Sequence, residues 1–277
     1  MEPAIKWSGS KRSQSKEILK HFPKEIDTYY EPFCGGCSVL MALIESDIKV
    51  KEYYCSDLNK DLIGAWEAIK SRPLEVAEWY ETLWNELNKD SDLGRKKKYF
   101  GEIRERLNKE HNPLDFIFIM RTTTNGMPRY NKNGEFNNSF HITRNGIQPS
   151  TFKEILSAWS EKLKEKDIQF KACSYEEIQP SEHDFMYMDP PYANTKGMYF
   201  GDFDVEKFFK WLETKGCGYT LSFDGIADKD HTYDVPVSLY SEHIYINSGN
   251  SSFRRVIGKN KHCEVLESLY VNEGGKG

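Results

Sequence analysis

Short apolar runs alternate with longer amphipathic stretches along most of the chain. The runs have the length and aromatic content of strands and fall in 28–36, 52–57, 168–172, 184–188 and 218–223. The amphipathic stretches are typical of helices and fall at 15–21, 38–44, 152–164 and 205–213. Strands that alternate with helices predict an α/β fold with a doubly wound, mostly parallel sheet. Two further runs, 243–246 and 264–270, fit an antiparallel pair at the sheet edge.

A different pattern interrupts this alternation. Residues 59 to about 118 read as helix throughout, which is too much helix for one crossover between strands. Residues 121–150 then mix Gly, Asn and Arg with aromatic residues, and Asn133-Gly134 is a strong hairpin signal. We therefore expect a catalytic, cofactor-binding domain formed by residues 1–58 and 151–277. Residues 59–150 are expected to form an inserted helical and hairpin subdomain.

The strand at 184–188 runs into Asp189-Pro190-Pro191-Tyr192. Neither proline can donate to a sheet ladder and each fixes its own φ, so the strand ends in a rigid turn. Ligands of open α/β sheets bind at this end of the strands. The turn suits a flat molecule bearing an amino group, because Tyr192 can stack on it while Asp189 and the Pro190 carbonyl accept its N–H groups. A strand-terminal turn with a capping Asp is the alternative.

Three other stretches are candidates for the same ligand site. Gly35-Gly36 lies between a strand and an apolar helix, where a ligand can approach the backbone, but the spacing is not that of a dinucleotide fingerprint. Asp57 ends the next strand, where an acid can bind two ribose hydroxyls or cap the following helix. Trp7 and Lys11 flank a flexible Gly turn and can present an indole and an ammonium group to a charged ligand.

The segment 121–150 carries the side chains that read base edges. Amides and guanidinium groups make bidentate contacts to bases, and aromatic residues lie between them here. An ordinary polar surface loop is the alternative. The candidate DNA-binding residues are Arg121, Asn125, Arg129, Tyr130, Asn131, Lys132, Asn137 and Arg144.

Composition narrows the class of protein. The 277 residues include 29% charged residues, and no apolar run reaches the length of a membrane span or a signal peptide, so we expect a cytoplasmic protein. The net charge of −5 does not favour nucleic acid, but basic residues cluster in 121–144 and again in 254–261. Cys34-Gly-Gly-Cys37 has redox or zinc spacing without a second pair, so buried cysteines in a tight turn and no metal are expected.

Four motifs together resemble those of the D12-class, Dam-type DNA adenine-N6 methyltransferases, and in the order of that family. They are Lys6-Trp7-Ser8-Gly9-Ser10-Lys11, Glu31-Pro32-Phe33-Cys34-Gly35-Gly36, Ser56-Asp57 and Asp189-Pro190-Pro191-Tyr192. The stretch 129–137 resembles the target-recognition hairpin of the family. The resemblance covers nearly the whole chain and implies the class I S-adenosylmethionine-dependent methyltransferase fold, with S-adenosylmethionine as cofactor.

The resemblance also implies a role for each motif. Trp7 and Lys11 would close over the methionine end of the cofactor, and Asp57 would hold its ribose. The remaining cofactor-binding residues would be Phe33, Gly35 and Gly36 in the turn, Tyr175 in the adenine pocket, and Asp189 where cofactor and target base meet. Asp189, Pro190 and Tyr192 would be catalytic.

The expected activity is therefore methylation of adenine N6 in double-stranded DNA, on a base flipped out of the duplex. The family points to a GATC-like site, although Asn138-Ser139 stands where the family usually has a Pro-containing sequence. We expect a monomer or weak dimer, with or without a companion restriction enzyme. The alternatives are an amino-methyltransferase for RNA or cytosine N4, a nicotinamide oxidoreductase, and a non-catalytic DNA-binding protein.

Overall fold

The computed structural model describes residues 1–191, 201, 203–227, 230–231, 235–250 and 264–274. The strands are β1 Glu25–Glu31, β2 Lys49–Asp57, β3 Gln169–Ala172, β4 Phe185–Met188, β5 Gly218–Ala227, β6 Asp230–His231, β7 Glu242–Asn250 and β8 Glu264–Asn272. The helices are α1 Ser15–Ile18, α2 Ser38–Ile44, α3 Lys60–Ser71, α4 Pro73–Asn88, α5 Leu93–Glu110, α6 Pro113–Thr122, α7 Pro149–Glu165 and α8 Val205–Glu213. Tyr192 and the basic residues of 254–261 lie outside the described residues.

The strands form one mostly parallel sheet in the order β3-β2-β1-β4-β5-β8-β7, with the short β6 paired to β5. Strands β1 to β5 run parallel to one another, whereas β8 is antiparallel to both β5 and β7. This arrangement confirms the expected doubly wound sheet and its antiparallel pair. The pair is placed with β8 inside the sheet and β7 at the edge.

Both faces of the sheet are covered, as the sequence of β4 shows. Its four residues are all buried: Phe185 and Tyr187 pack in one apolar cluster, and Met186 and Met188 pack in another. Because successive side chains of a strand point to opposite faces, the two clusters lie on opposite sides of the sheet. The prediction of a buried strand that runs into Asp189 is thereby confirmed.

Four helices fill the stretch 59–122, as the dense helical pattern predicted. Asn59 caps α3 by accepting hydrogen bonds from the backbone N–H groups of Asp61 and Leu62. Helix α6 is apolar almost all round, and its residues 116–120 are fully buried. Side chains of these helices belong to the same buried cluster as those of β1 and β2. The proposed boundaries at 58 and 150 stay a prediction.

The segment 121–150 contains the expected reversal of the chain. Asn131 N–H donates to the Glu135 carbonyl, and Gly134 N–H donates back to the Asn131 carbonyl. Isolated antiparallel bridges join Tyr130 to Phe136 and Thr123 to Phe140. Among the described residues, no helix is both long and apolar enough to cross a membrane.

Candidate active site

Three acids meet where parallel strands end. Glu31 ends β1 and Asp57 ends β2, and Asp189 follows the last residue of β4. Because β1 lies between β2 and β4 and is parallel to both, these positions share one end of the sheet. We call this end the carboxyl edge.

The glycine turn that follows β1 is packed against the N-terminal loop. Gly35 has a φ of +45°, and a Cβ there would lie 2.7 Å from Trp7 Nε1. A Cβ on Gly36 would lie 2.9 Å from Trp7 Cβ. The Trp66 indole fixes the turn from below by donating a 2.9 Å hydrogen bond to the Gly35 carbonyl. Only glycines allow the indole of Trp7 to cover this turn so closely.

Asp57 is held by backbone groups on both sides. Its carboxylate accepts hydrogen bonds from Gly35 N–H at 3.3 Å and from Asn59 N–H at 3.0 Å. Burial raises the pKa of Asp57 to about 6, against the lowering effect of these hydrogen bonds. Since Asn59 is the residue that caps α3, the carboxylate of Asp57 remains directed towards the glycine turn.

A cavity of about 260 Å³ opens at the carboxyl edge. Its lining includes six of the residues expected to bind the cofactor: Trp7, Phe33, Gly35, Asp57, Tyr175 and Asp189. The other two, Lys11 and Gly36, line an adjoining cavity of about 100 Å³. A larger groove of about 910 Å³ lies at the opposite end of the strands and contains none of them. The structure thus brings the predicted set together at one end of the sheet.

Aromatic side chains form one wall of the 260 Å³ cavity. The rings of Phe33 and Tyr175 lie 5.6 Å apart, and Phe203 packs edge-on against both. Trp211 supports Tyr175 from behind with a centroid distance of 5.1 Å. Burial raises the pKa of Tyr175 to about 12, so its hydroxyl is neutral at ordinary pH. This wall offers flat apolar surfaces beside the polar Asp57.

Asp189 is paired with a buried lysine. Lys11 Nζ donates to Asp189 Oδ2 at 2.8 Å and to the Gly9 carbonyl at 3.2 Å. The Lys11 side chain is only 5% exposed, against 21% for Asp189. Burial alone would lower the pKa of Lys11, but the carboxylates of Asp189 and Glu267 outweigh it and raise that pKa. The Asp189 carboxylate is therefore partly exposed to the cavity, and its Oδ2 is hydrogen-bonded to the Lys11 ammonium.

Two further acids of this region were given no role by the sequence analysis. Glu31 is fully enclosed and accepts a 2.7 Å hydrogen bond from the Tyr29 hydroxyl. Its pKa is raised to about 8, mainly by burial and further by the charge of Asp189. Glu267 comes from β8 and lies 3.5 Å from Lys11 Nζ. The only available signal for Glu267 was an acid inside an otherwise apolar strand.

Arg121, one of the predicted DNA-binding residues, is held by the N-terminal segment. Its guanidinium donates to the backbone carbonyls of Pro3 and Ala4 and lies 4.7 Å from the centroid of the Phe152 ring. Burial lowers the pKa of Arg121 to about 10. These contacts bind the side chain to the N-terminal segment, and the assignment of Arg121 to DNA binding stays a prediction.

Tyr130 and Asn131 make hydrogen bonds within the protein, Tyr130 from a buried position and Asn131 from a half-buried one. Tyr130 is buried, and its hydroxyl accepts a 2.6 Å hydrogen bond from Asn59 Nδ2. Asn131 Oδ1 accepts from the backbone N–H groups of Asn133 and Glu135, which builds the turn. Both residues shape the hairpin, and their contact with DNA stays a prediction.

The other predicted DNA-binding residues point outward. Those with exposed side chains are Asn125, Arg129, Lys132, Asn137 and Arg144. Positive charge also gathers where this segment meets the N-terminal loop. The pKa of Lys6 is lowered by burial and then by Arg144, and the pKa of His141 is lowered by burial, Arg144 and Lys6. Ser8 N–H donates to the Gly126 carbonyl at 2.9 Å, which ties the exposed segment to the loop of Trp7.

Among the residues that the structure describes, no cluster of His, Cys, Asp or Glu is arranged to hold a metal ion. Cys34, Cys37 and Cys55 are buried free thiols beside the glycine turn, and burial raises the pKa of each. These thiols are thus packing residues of the turn rather than reactive thiolates.

The fold and the carboxyl edge define an α/β protein built to bind a ligand where parallel strands end. The model of the D12 class N6 adenine-specific DNA methyltransferase family matches residues 7–212. The chain belongs to this family. The match covers the first motif from Trp7 onwards, the other three motifs and the recognition hairpin, and it decides against the nicotinamide oxidoreductase alternative.

Individual relatives agree with this assignment. The chain is 30% identical over 249 residues to type II methyltransferase M.MjaIII of Methanocaldococcus jannaschii, covering 80% of this chain and 84% of that one. It is 25% identical to the DNA adenine methylase of Haemophilus influenzae, covering 98% and 88% respectively. Among solved structures, 23S rRNA methyltransferase ErmE has a TM-score of 0.40 at 8% identity and covers 98% of this chain and 72% of that one.

Proposed function

We propose that this protein transfers a methyl group from S-adenosylmethionine to N6 of an adenine flipped out of double-stranded DNA, at a defined site. Membership in the D12 class makes it a DNA methyltransferase of the adenine class. The observation that carries the cofactor and the base is the shared cavity, in which Asp57, the aromatic wall and Asp189 line one continuous surface.

The residues of this cavity fit the proposed cofactor. The glycine turn and the Trp7 indole that packs on it line the cavity, and Asp57 provides acceptors for paired hydroxyls. Phe33 and Tyr175 provide flat surfaces for a purine. When bound, S-adenosylmethionine supplies an electrophilic methyl group. Trp7 over the turn and Lys11 beside Asp189 are then the residues that close the methionine end.

Asp189 and the Pro190 carbonyl act on the target base in this proposal. Both accept hydrogen bonds from the exocyclic amine, which draws its N–H bonds out of the ring plane and frees the nitrogen lone pair for attack. The rigid Pro190-Pro191 turn fixes their direction. Tyr192 remains the predicted stacking partner of the base. The base must leave the duplex because a paired amine cannot reach acceptors at the end of a strand.

We further propose that the exposed side chains of the segment 121–150 select the site. Arg129, Lys132, Asn137 and Arg144 are free to approach a groove or the phosphates, and a GATC-like sequence is the expected target. Local positive charge supports this binding despite the net charge of −5. A monomer or weak dimer remains the expected state.

The deciding experiment is incubation of the purified protein with S-adenosylmethionine and a random-sequence duplex, followed by mass spectrometry of the nucleosides. We expect N6-methyladenine, and sequencing of the product is expected to give one short motif. Parallel reactions with single-stranded DNA and RNA define the substrate. Exclusive formation of N4-methylcytosine, product on RNA alone, or no product would contradict the proposal.

A further inference from the structure

Glu267 is a charged residue in the interior of the sheet. It lies on β8, opposite Gly225 of β5 on one side and Ile246 of β7 on the other. The next two residues along the strand, Ser268 and Leu269, are buried. A carboxylate at such a position costs stability unless a cation or a set of donors compensates it.

Its compensation comes from the lysine that also holds Asp189. Lys11 Nζ lies 3.5 Å from Glu267 Oε2 and 2.8 Å from Asp189 Oδ2. Glu267 Oε2 is out of contact with solvent and accepts no hydrogen bond from the described residues. Both carboxylates and the ammonium border the same cavity of about 100 Å³. One cation therefore serves two carboxylates, and only the nearer one is hydrogen-bonded to it.

The position of the Lys11 ammonium matters because the proposed function uses the Asp189 carboxylate as a hydrogen-bond acceptor for the target amine. A carboxylate that binds an ammonium at 2.8 Å has less charge to offer an incoming amine, since the shared cation already stabilises it. Movement of the ammonium away from Asp189 strengthens the carboxylate as an acceptor. Lys11 is almost fully enclosed, so it needs a second anion within reach to move at low cost.

We propose that Glu267 is a positioning residue for the methyl transfer, because it holds the Lys11 ammonium when Asp189 turns to the target amine. The inference rests on the proposed function. It assigns no contact between Glu267 and the substrate, so its effect passes entirely through Lys11. A structural ion pair would stabilise the fold without changing the rate of transfer.

The test compares single-turnover rates of methyl transfer on duplex DNA at saturating S-adenosylmethionine. Glu267→Gln keeps the size of the side chain and removes its charge. We expect about a tenfold slower transfer with cofactor affinity changed less than about twofold, a coupling within the range of residues in contact. Glu242→Gln, which removes an exposed charge on the neighbouring β7, is the matched control and leaves the rate unchanged.

A double-mutant cycle with Lys11→Met tests the route of the effect. In the Lys11→Met background, Glu267→Gln is expected to change the rate less than about twofold. The same cycle on thermal unfolding midpoints needs no turnover, and there the two substitutions are expected to be non-additive. A Glu267→Gln rate near that of the wild type, equal losses in both backgrounds, or additive shifts of the midpoint would each overturn the inference. Failure of the proposed function would be a separate result, because the wild-type protein itself would then transfer no methyl group to adenine in DNA.

Discussion

The carboxyl edge and the segment 121–150 hold charged residues in opposite ways. At the carboxyl edge, the enclosed Lys11 and the half-buried Asp189 and Glu267 share one network. In the segment 121–150, Arg129 and Lys132 are exposed at the surface of a turn that other residues build. Enclosed charges are coupled, so changing one alters its neighbours. Exposed charges act singly, so each can be changed without disturbing the fold.

The difference extends to what fixes each region. Prolines, glycines and strand ends fix the carboxyl edge, so its groups are in place before any ligand arrives. In the segment 121–150, the hydrogen bonds of Asn131 fix the turn, and Arg129 and Lys132 lie exposed on it. We infer that the chemistry of this chain tolerates little change, whereas its choice of sequence can change through single surface residues.

The largest expected effect is that of Asp189→Ala at the carboxyl edge. The substitution removes an acceptor that acts mainly in the transition state, and we expect single-turnover transfer to fall by at least about 100-fold. The protein should still fold, because Lys11 keeps the Gly9 carbonyl and Glu267 as partners. Asp57→Ala should instead weaken cofactor binding, measured by calorimetry. Near-normal transfer by the Asp189 variant would refute its assigned role.

Enclosure at the carboxyl edge also predicts a pH dependence of stability. Burial raises the pKa of Glu31 to about 8 from an ordinary value of 4.5. Between these values the folded protein holds a proton that the unfolded chain has released. The free energy of unfolding therefore falls as pH rises through this window, by at most about 1.4 kcal/mol per pH unit.

Glu31→Gln should remove this part of the slope, because its amide oxygen can still accept from Tyr29 and does not titrate. Urea unfolding at several pH values measures the slope of the free energy of unfolding against pH. Asp57 has its own raised pKa of about 6, but it contributes equally to wild type and variant. The exposed Glu242→Gln is the control. Parallel stability curves for wild type and the Glu31 variant would show that Glu31 is ionised in the fold.

The close approach of Trp7 to the glycine turn gives a smaller effect. Gly35→Ala places a Cβ 2.7 Å from the indole in a backbone conformation that L residues rarely adopt. We expect a loss of about 1–3 kcal/mol in stability and a matching loss of cofactor affinity. Gly101→Ala in α5 is the matched control: its Cβ meets nothing within 4 Å, and it should stabilise by roughly 0.5–1 kcal/mol. Unchanged cofactor binding in the Gly35 variant would place the ligand elsewhere.

The sequence predicted those features that depend on local turns and strand ends. It did not predict contacts between residues that lie far apart along the chain. Asp57, Gly35 and Asp189 were located because local turn chemistry marks strand ends, and parallel strands bring those ends together. Glu267 was missed because its contact with Lys11 depends on β8 entering the sheet beside β5. The contacts of Arg121 were not foreseen because its partners, Pro3 and Ala4, lie at the far end of the chain.

Arg121 and Arg129 give the smallest expected effects and the most selective test. They are the same residue type, but the Arg121 side chain is held by the N-terminal segment and that of Arg129 is exposed. Arg121→Ala removes two hydrogen bonds to backbone carbonyls and a contact with the Phe152 ring. We expect it to cost about 1–3 kcal/mol of stability, since the carbonyls are left without these donors. The sequence preference of the remaining folded protein should not change.

Arg129→Ala should do the reverse. Its side chain is exposed, so stability should stay within about 0.5 kcal/mol of the wild type. If the guanidinium pairs with a base edge, its loss should cost about 1–3 kcal/mol for the correct site and relax discrimination at one position. If it meets only phosphate, all DNA should bind more weakly and the salt dependence should flatten. Methylation profiles of both variants on a randomised duplex library at fixed salt, together with urea unfolding, separate these outcomes. An altered motif for Arg121→Ala with an unaltered one for Arg129→Ala would assign sequence reading to the N-terminal side of the segment instead of the hairpin.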